Sequence, residues 1–263
     1  TDVRYVPALL AKSDKALLFE DLDGYGMRLA GGLLKTRRRL ALAMGVPPAE
    51  IARRFASAIA TPIPPKMVTT GPVKEIIKIG GQVDLTELPM PLFHQEDGGP
   101  YSSGGVGVTK APETGRNAGV YRMMFRTRNE TAIDLVSLSD LRTLYQRAMA
   151  EGRPQEFASV IGLHPLDILA AAYKAPRGVD EFAVAGGLHG EAVPLVRCET
   201  VDIEVPADAE IVLEGEILPT GWTEPEGPFG EFTWLQGGIQ PGGQDQGCHS
   251  PARSDLLCPA HAS

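Results

Sequence analysis

Cysteine is scarce. The 263 residues hold three, Cys198, Cys248 and Cys258. The number is odd and no pair has CxxC spacing, so neither a zinc knuckle nor a disulfide framework is expected, and a reducing, cytoplasmic setting fits best. Long apolar runs are missing too. Nothing is long enough to cross a bilayer and no signal peptide is visible, although the chain opens on Thr1 rather than Met and reads as trimmed at its start. Positive charge is in deficit: 25 Lys and Arg against 33 Asp and Glu give a formal net charge of −8. A phosphate backbone requires a basic stripe, so nucleic acid is not an expected partner. The one dense basic run, Arg37-Arg38-Arg39, lies in a helical pattern and reads as a solvated helix face. The histidines His94, His164, His189, His249 and His261 show no metal-binding spacing, and His164 and His189 read as loop residues. What is present is 43% hydrophobic and 22% charged, a globular balance in a length that suits one large domain or two modest ones.

Residues 33–60 predict helices. "LLKTRRRLALAMG" stops at Gly45, and "PPAEIARRFASAIA" starts on prolines and puts Ile51, Phe55 and Ile59 on one face. "TPIPPK" then breaks the pattern and marks a boundary. From Val68 to about Thr127 the texture is β: "VKEIIKIGGQVDL" has branched residues and a Gly-Gly turn, and "GGVGVTK" and "GVYRMMFRT" flank a turn-rich connector as a hairpin. "SLSDLRTLYQRAMAEG" predicts a helix with Ser137 and Asp140 at capping-box spacing and Gly152 at its end. "FASVIGL" reads as a buried strand and "PLDILAAAYK" as a Pro-started helix. "PLVRCETVDIEVP" and "EIVLEGEIL" read as strands. Strands in runs with helices between them favour an α+β fold.

The chemistry-bearing candidates are few. Glu226 and Glu231 bracket the turn Gly227-Pro228-Phe229-Gly230. Such a loop either holds two carboxylates close enough to raise one pKa, which provides a proton donor near neutral pH, or is a surface turn with two solvated acids. A glycosidase-like acid pair is a weaker reading, because a sugar hydrolase needs no neighbouring arginine or metal acids. Asn117 and Arg122 interrupt an apolar strand. Five residues apart, they fall on opposite faces of a flat strand and could share a pocket only across a bulge or turn. Arg122 is either an edge residue or a guanidinium for a carboxylate or phosphate. Glu181 follows a Pro/Gly-rich loop and precedes what reads as an apolar strand. It is either a strand-start acid or a hard oxygen ligand for magnesium or manganese.

Taken together, "DGGPYSSGGVGVTKAPETGRNAGVYRMM", "APRGVDEFAVAGGLHGEAVPLVRCETVDIEVPADAEIVLEGEI" and "EGPFGEF" resemble the UbiD family of decarboxylases. "RLALAMGVP" and "GPVKEIIKIGGQVDLTELPMPLFHQEDGG" extend the likeness back towards the N-terminus. The resemblance implies a split β-barrel of the flavin-reductase type that binds prenylated FMN, preceded by an N-terminal α/β layer. The expected units are 1–66 for that layer, 67–233 for the barrel and 234–263 for an aberrant tail. It implies reversible decarboxylation of an aromatic or α,β-unsaturated acid through a Glu226-Arg122-Glu231 network, with Glu231 as proton donor. It further implies cofactor contacts from Asn117, Val120, Tyr121, Arg122 and Glu181. Asn117 and Glu181 would hold a divalent manganese or magnesium ion, and the backbone of Ala171–Tyr173 a potassium ion. Asp140 stands, by ungapped counting, where the family has a third metal ligand, a histidine; it reads equally as an acid in a helix's first turn. A flavin prenyltransferase would supply the cofactor, and the family forms homo-oligomers. The alternative of a different class is a non-catalytic flavin-binding or subunit-interaction module.

After Thr233 the text changes. "WLQGGIQPGGQDQGCHSPARSDLLCPAHAS" has little core-forming periodicity. Read one base later, with permitted synonymous codons, it yields "GYRAASSRAAKIKAVTRRRDPIFYALLT", which resembles the family's own continuation. A frameshifted tail is therefore expected, with loss of a barrel-closing strand, the C-terminal domain, a cofactor-contacting lysine and much of the oligomer surface. The gene's nucleotide sequence across the Thr233 codon tests this.

Overall fold

The computed structural model describes residues 1–135, 138–176, 178–222 and 226–230, together with the backbone of 251–257. The chain begins with helix α1 (Val6–Lys12), strands β1 (Leu17–Phe19) and β2 (Leu29–Gly31), and helices α2 (Arg37–Ala43) and α3 (Ile51–Ala60). β1 and β2 pair antiparallel, Leu17 opposite Gly31. Thr36 caps α2 by accepting the Arg39 N–H, and Gly45, at φ +65°, turns the chain out of it. Such a φ costs a glycine nothing. The basic run is not wholly solvated. Arg39 donates to the carbonyls of Gly32 and Asp14, and Arg37 to that of Pro48, so two of the three arginines tie α2 to neighbouring loops.

Strand β3 (Lys66–Met67) follows. The β texture read over 68–100 is corrected: between Met67 and Tyr101 the described residues hold only short 3-10 turns, at 72–74, 80–82 and 85–87. Val73, Val83, Leu85 and Leu88 are buried against the body while Ile77 and Ile79 are exposed. Branched residues make a strand only where a partner edge is available.

The body then runs β4 (Tyr101–Ser102), β5 (Val106–Ala111), β6 (Gly115–Val120), β7 (Met123–Phe125), β8 (Glu130–Ile133), α4 (Asp140–Ala150), β9 (Gln155–Ile161), α5 (Pro165–Ala171), α6 (Glu181–His189), β10 (Pro194–Arg197), β11 (Glu204–Pro206), β12 (Ile211–Ile217) and β13 (Pro251–Leu257). α4 is capped by Ser139, which accepts the Arg142 N–H; Ser137, expected as the cap, lies outside the described residues. The apolar run after Glu181 forms α6 rather than the expected strand. Its residues are buried nearly all round, and a helix without a polar face carries no period to separate it from a buried strand. Gly186 and Gly187 are required there. A Cβ at Gly186 would stand 2.4 Å from the Ile63 carbonyl oxygen, and one at Gly187 2.8 Å from that of Ala58. His164 caps α5 and His189 ends α6, so neither is the loop residue expected.

Two sheets organise this mixed α+β body. A small one has the order β11-β10-β3; a large one has the order β4-β7-β8-β13-β12-β9-β5-β6. In the large sheet β4 and β5 are six strand spacings apart, roughly 29 Å if it were flat. The chain joins them through Ser103–Gly105, which reaches at most about 14 Å. β6 and β7, also six spacings apart, are joined by Tyr121 and Arg122 alone. The sheet must therefore curl until its ends approach, and the Tyr121 N–H donates to the Gly105 carbonyl, 3.2 Å, across the meeting point. One cluster of the core sets Val106, Val108, Val160 and Val212 against Phe182 and Leu188 of α6; another sets Met123, Ile133 and Phe157 against Leu141 and Tyr145 of α4.

The tail departs from expectation. Its backbone at Pro251–Leu257 is a strand paired antiparallel with both β12 and β8. A strand thus forms in a segment in which periodicity predicted none. No described helix is long and apolar enough to cross a membrane.

Candidate active site

The strand carrying Asn117 and Arg122 breaks where it has to for both to face one pocket. β6 ends at Val120 and β7 begins at Met123. Asn117, Val120, Tyr121, Arg122, Asp140 and Glu181 line one cavity of about 430 Å³, and Ala171–Tyr173 at the end of α5 line it too. All the described candidate residues except Glu226 are therefore on its surface, and Glu226 joins them through Arg122. Glu231 and Thr233 lie outside the described residues.

At one end of the cavity, Arg122 is the centre. Its Nε donates to Glu226 Oε1 and its Nη2 to Oε2, both at 2.9 Å. Nη2 also lies 3.1 Å from Asp134 Oδ2. This is a bidentate, charge-assisted pair with a second carboxylate at its flank. The Glu226 side chain is wholly buried, and the guanidinium is its partner there. The Phe229 ring stacks under Arg122, its centroid 5.3 Å from Cζ, and packs on Tyr101 at 4.5 Å and Phe93 at 5.9 Å. Burial, and then the Glu226 charge, hold the Tyr101 phenol well above its ordinary pKa.

At the other end, Glu181 opens α6. Asp180 caps the helix by accepting the Phe182 N–H, 2.9 Å, and is itself held by Arg116, which also pairs with Glu204. Glu181 Oε2 accepts the Ala118 N–H at 2.9 Å and Oε1 the Asn117 side-chain amide at 3.3 Å. Burial pushes its pKa up to about 7, opposed by the Ala118 bond, with the Asp180 and Asp140 charges adding to the rise. Beside it, Asn117 Oδ1 is buried with no hydrogen-bond partner. An orphaned oxygen next to an under-neutralised carboxylate, with Asp140 lining the same cavity, is a donor set that fits a hard divalent cation. Among the described residues no group of three or more His, Cys, Asp or Glu is placed to hold a metal; the asparagine oxygen falls outside that count.

Sequence reasoning missed Asp134, Asp97, Arg116 and Asp180. Asp134 carried a signal, an acid within the apolar run "TAIDL". Asp97 carried little, since it sits in "HQEDGG", which reads as a solvated turn.

The chain resembles known proteins over most of its length. Residues 66–241 match the UbiD family model, described as the 3-octaprenyl-4-hydroxybenzoate carboxy-lyase Rift-related domain, and residues 4–59 the corresponding N-terminal domain. The chain is 38% identical over 225 residues to anhydromevalonate phosphate decarboxylase of Methanothermobacter thermautotrophicus, covering 82% of this chain and 50% of that protein. It is 37% identical over 205 residues to pyrrole-2-carboxylic acid decarboxylase of Pseudomonas aeruginosa, covering 75% and 41%. Among solved structures, the UbiD-class enzyme HmfF from Pelotomaculum thermopropionicum, in complex with prenylated FMN, superposes with a TM-score of 0.87 at 36% identity over 97% of this chain and 59% of that one. The chain spans about half the length of the curated relatives it matches.

Proposed function

The chain belongs to the UbiD family, and on that premise we propose that it forms the cofactor-binding and catalytic part of a prenylated-FMN-dependent decarboxylase. Its substrate is an aromatic or α,β-unsaturated carboxylic acid, and the reaction is reversible and non-oxidative. In this reading the curled sheet is a split barrel of the flavin-reductase type, and the cofactor occupies the cavity between Arg122 and Glu181.

Asn117, Glu181 and Asp140 hold a manganese or magnesium ion that neutralises the cofactor phosphate. That gives an acidic protein a way to bind an anion. The Ala171–Tyr173 backbone holds a potassium ion, and a flavin prenyltransferase supplies the cofactor to what is a homo-oligomer in the family. When bound, prenylated FMN supplies an electron sink for the pair released with carbon dioxide. The protein's residues do the rest. Arg122 orients the substrate carboxylate while holding Glu226 in place. Phe229 and Tyr101 exclude water from that end. Glu231 delivers the proton to carbon where carbon dioxide has left.

The observation that carries this reading is the bidentate Arg122–Glu226 pair at a cavity that Asn117, with its orphaned oxygen, and Glu181 also line. The test is to co-express the chain with a flavin prenyltransferase, record its flavin spectrum, and assay carbon dioxide release from a panel of heteroaromatic and α,β-unsaturated acids. Solvent deuterium should enter the product at the vacated carbon, and Glu231→Gln or Arg122→Ala should abolish both signals. A chain that takes up the flavin but releases no carbon dioxide and exchanges no deuterium is instead the non-catalytic flavin-binding module.

A further inference from the structure

The loop carrying Glu226 is moulded against the segment 93–101 as well as against Arg122. A Cβ at Gly98 would stand 2.3 Å from the Gly227 carbonyl oxygen, so the two backbones are in direct contact there. The Gly98 N–H donates to the Pro228 carbonyl at 2.8 Å. Phe229 inserts between Tyr101, Phe93 and the Arg122 guanidinium. One side chain completes the mould. Asp97 Oδ1 accepts the Gly230 N–H at 2.7 Å, while Oδ2 accepts the His94 N–H at 2.8 Å. The Asp97 N–H in turn donates to the His94 carbonyl, 3.2 Å, and closes the 94–97 turn. The carboxylate is only 1% exposed, and the His94 Nδ1 atom stands 3.6 Å away on a ring that is half in solvent. Its burial is therefore spent on two backbone donors, one of them 133 residues away in the sequence.

We propose that Asp97 is the positioning residue of the loop 226–230: by clamping the Gly230 N–H it fixes the loop at the position just before the proposed proton donor, Glu231. This rests on the decarboxylase reading above. Asp97 itself makes no hydrogen bond or ion pair with Arg122 or Glu226. Glu226 is held by Arg122, and the far end of the cavity is built from other elements. Loss of the clamp should therefore act on proton delivery and leave binding alone. A displacement of about 1 Å in a catalytic group costs up to ~100-fold in rate.

The test compares the chain with Asp97→Ala and Asp97→Asn. Asp97→Ala should lower kcat roughly 10- to 100-fold with KM and flavin uptake within about twofold, the split that marks an interaction used only in the transition state. Asp97→Asn keeps an acceptor for Gly230 but turns an amide against the His94 N–H, so its kcat should fall between the two. Amide hydrogen exchange at Gly230 reads the clamp without turnover and should run at least ~10-fold faster in Asp97→Ala. Equal exchange rates overturn the clamp, and an unchanged kcat, or a kcat loss matched by a rise in KM, overturns its positioning role. If the unmutated, flavin-loaded chain turns over no acid, the decarboxylase reading and the positioning role fall together, and Gly230 exchange still decides whether Asp97 holds the loop.

Discussion

Glu214 and Glu181 are both carboxylates almost wholly withdrawn from water, at 0% and 3% exposure, and their surroundings are opposite. Glu214 stands in the middle of β12 and is saturated with donors. Both its oxygens take the Glu199 N–H at 2.9 Å, and Oε2 also takes the Thr200 N–H at 2.6 Å and the Thr200 hydroxyl at 2.7 Å. Glu181 receives two donors, one of them long, and shares its pocket with an orphaned acceptor and two further acids. Burial alone does not mark a site. What separates the two is the balance of donors to acceptors: a surplus of donors fastens a loop, and a surplus of acceptors leaves a place for a cation.

The sharpest way to break that comparison is to remove the saturated carboxylate. Glu214→Ala leaves three donors of the 199–200 turn without their acceptor and a hole in β12. The turn is exposed enough for water to repair part of the loss, so the expected cost is about 2–4 kcal/mol. Guanidinium unfolding at pH 7 measures it. Flavin uptake by the folded fraction should be unchanged; a loss of uptake without a loss of stability would place Glu214 with the functional acids instead.

The same contrast explains what could be read before the structure. Asn117, Arg122, Glu181 and Glu226 are legible as polar residues set in apolar or turn contexts, and the α+β class follows from the order of strand and helix textures. What brings Asn117 and Arg122 to one cavity is the two-residue break at Tyr121–Arg122, and no local preference announces it. It follows from the curl of a sheet whose end strands are joined by short connectors. α6 was unreadable as a helix because every face is buried. Segment 68–100 was misread because its branched residues lack a partner strand. Asp97 is invisible because its meaning depends on a bond to Gly230, far away in the chain.

A smaller effect sharpens the comparison from the side of Glu181. Its pKa is raised from 4.5 in the unfolded chain to about 7 in the folded one, so the native state binds more protons between those values. Stability should then fall as pH rises from 4.5 to 7 and level off above, by on the order of 2 kcal/mol for this group. Glu181→Gln removes that slope. The difference in unfolding free energy between the variant and the parent should grow in the variant's favour from pH 4.5 to pH 7 in metal-free buffer. Manganese should reverse the sign, because only the parent carboxylate gains from the cation. A difference that stays flat across this pH range would mean that Glu181 is as well satisfied as Glu214.

The smallest effect isolates the orphaned oxygen. Asn117 Oδ1 has lost its water without gaining a partner, and the amide's bond to Glu181, at 3.3 Å, is weak. Asn117→Ala should therefore change the stability of the metal-free protein by less than about 1 kcal/mol, because a desolvated oxygen and a poor hydrogen bond are lost together. The metal dependence should behave differently. A ligand at about 100 times its Kd stabilises the folded state by ~2.7 kcal/mol, and removal of one of the three proposed ligands should erase most of that gain at the same manganese concentration. Thermal unfolding with and without manganese reads both quantities. If Asn117→Ala keeps the parent's full manganese shift, the oxygen is a packing defect, and the surplus of acceptors that sets Glu181 apart from Glu214 has no cation to serve.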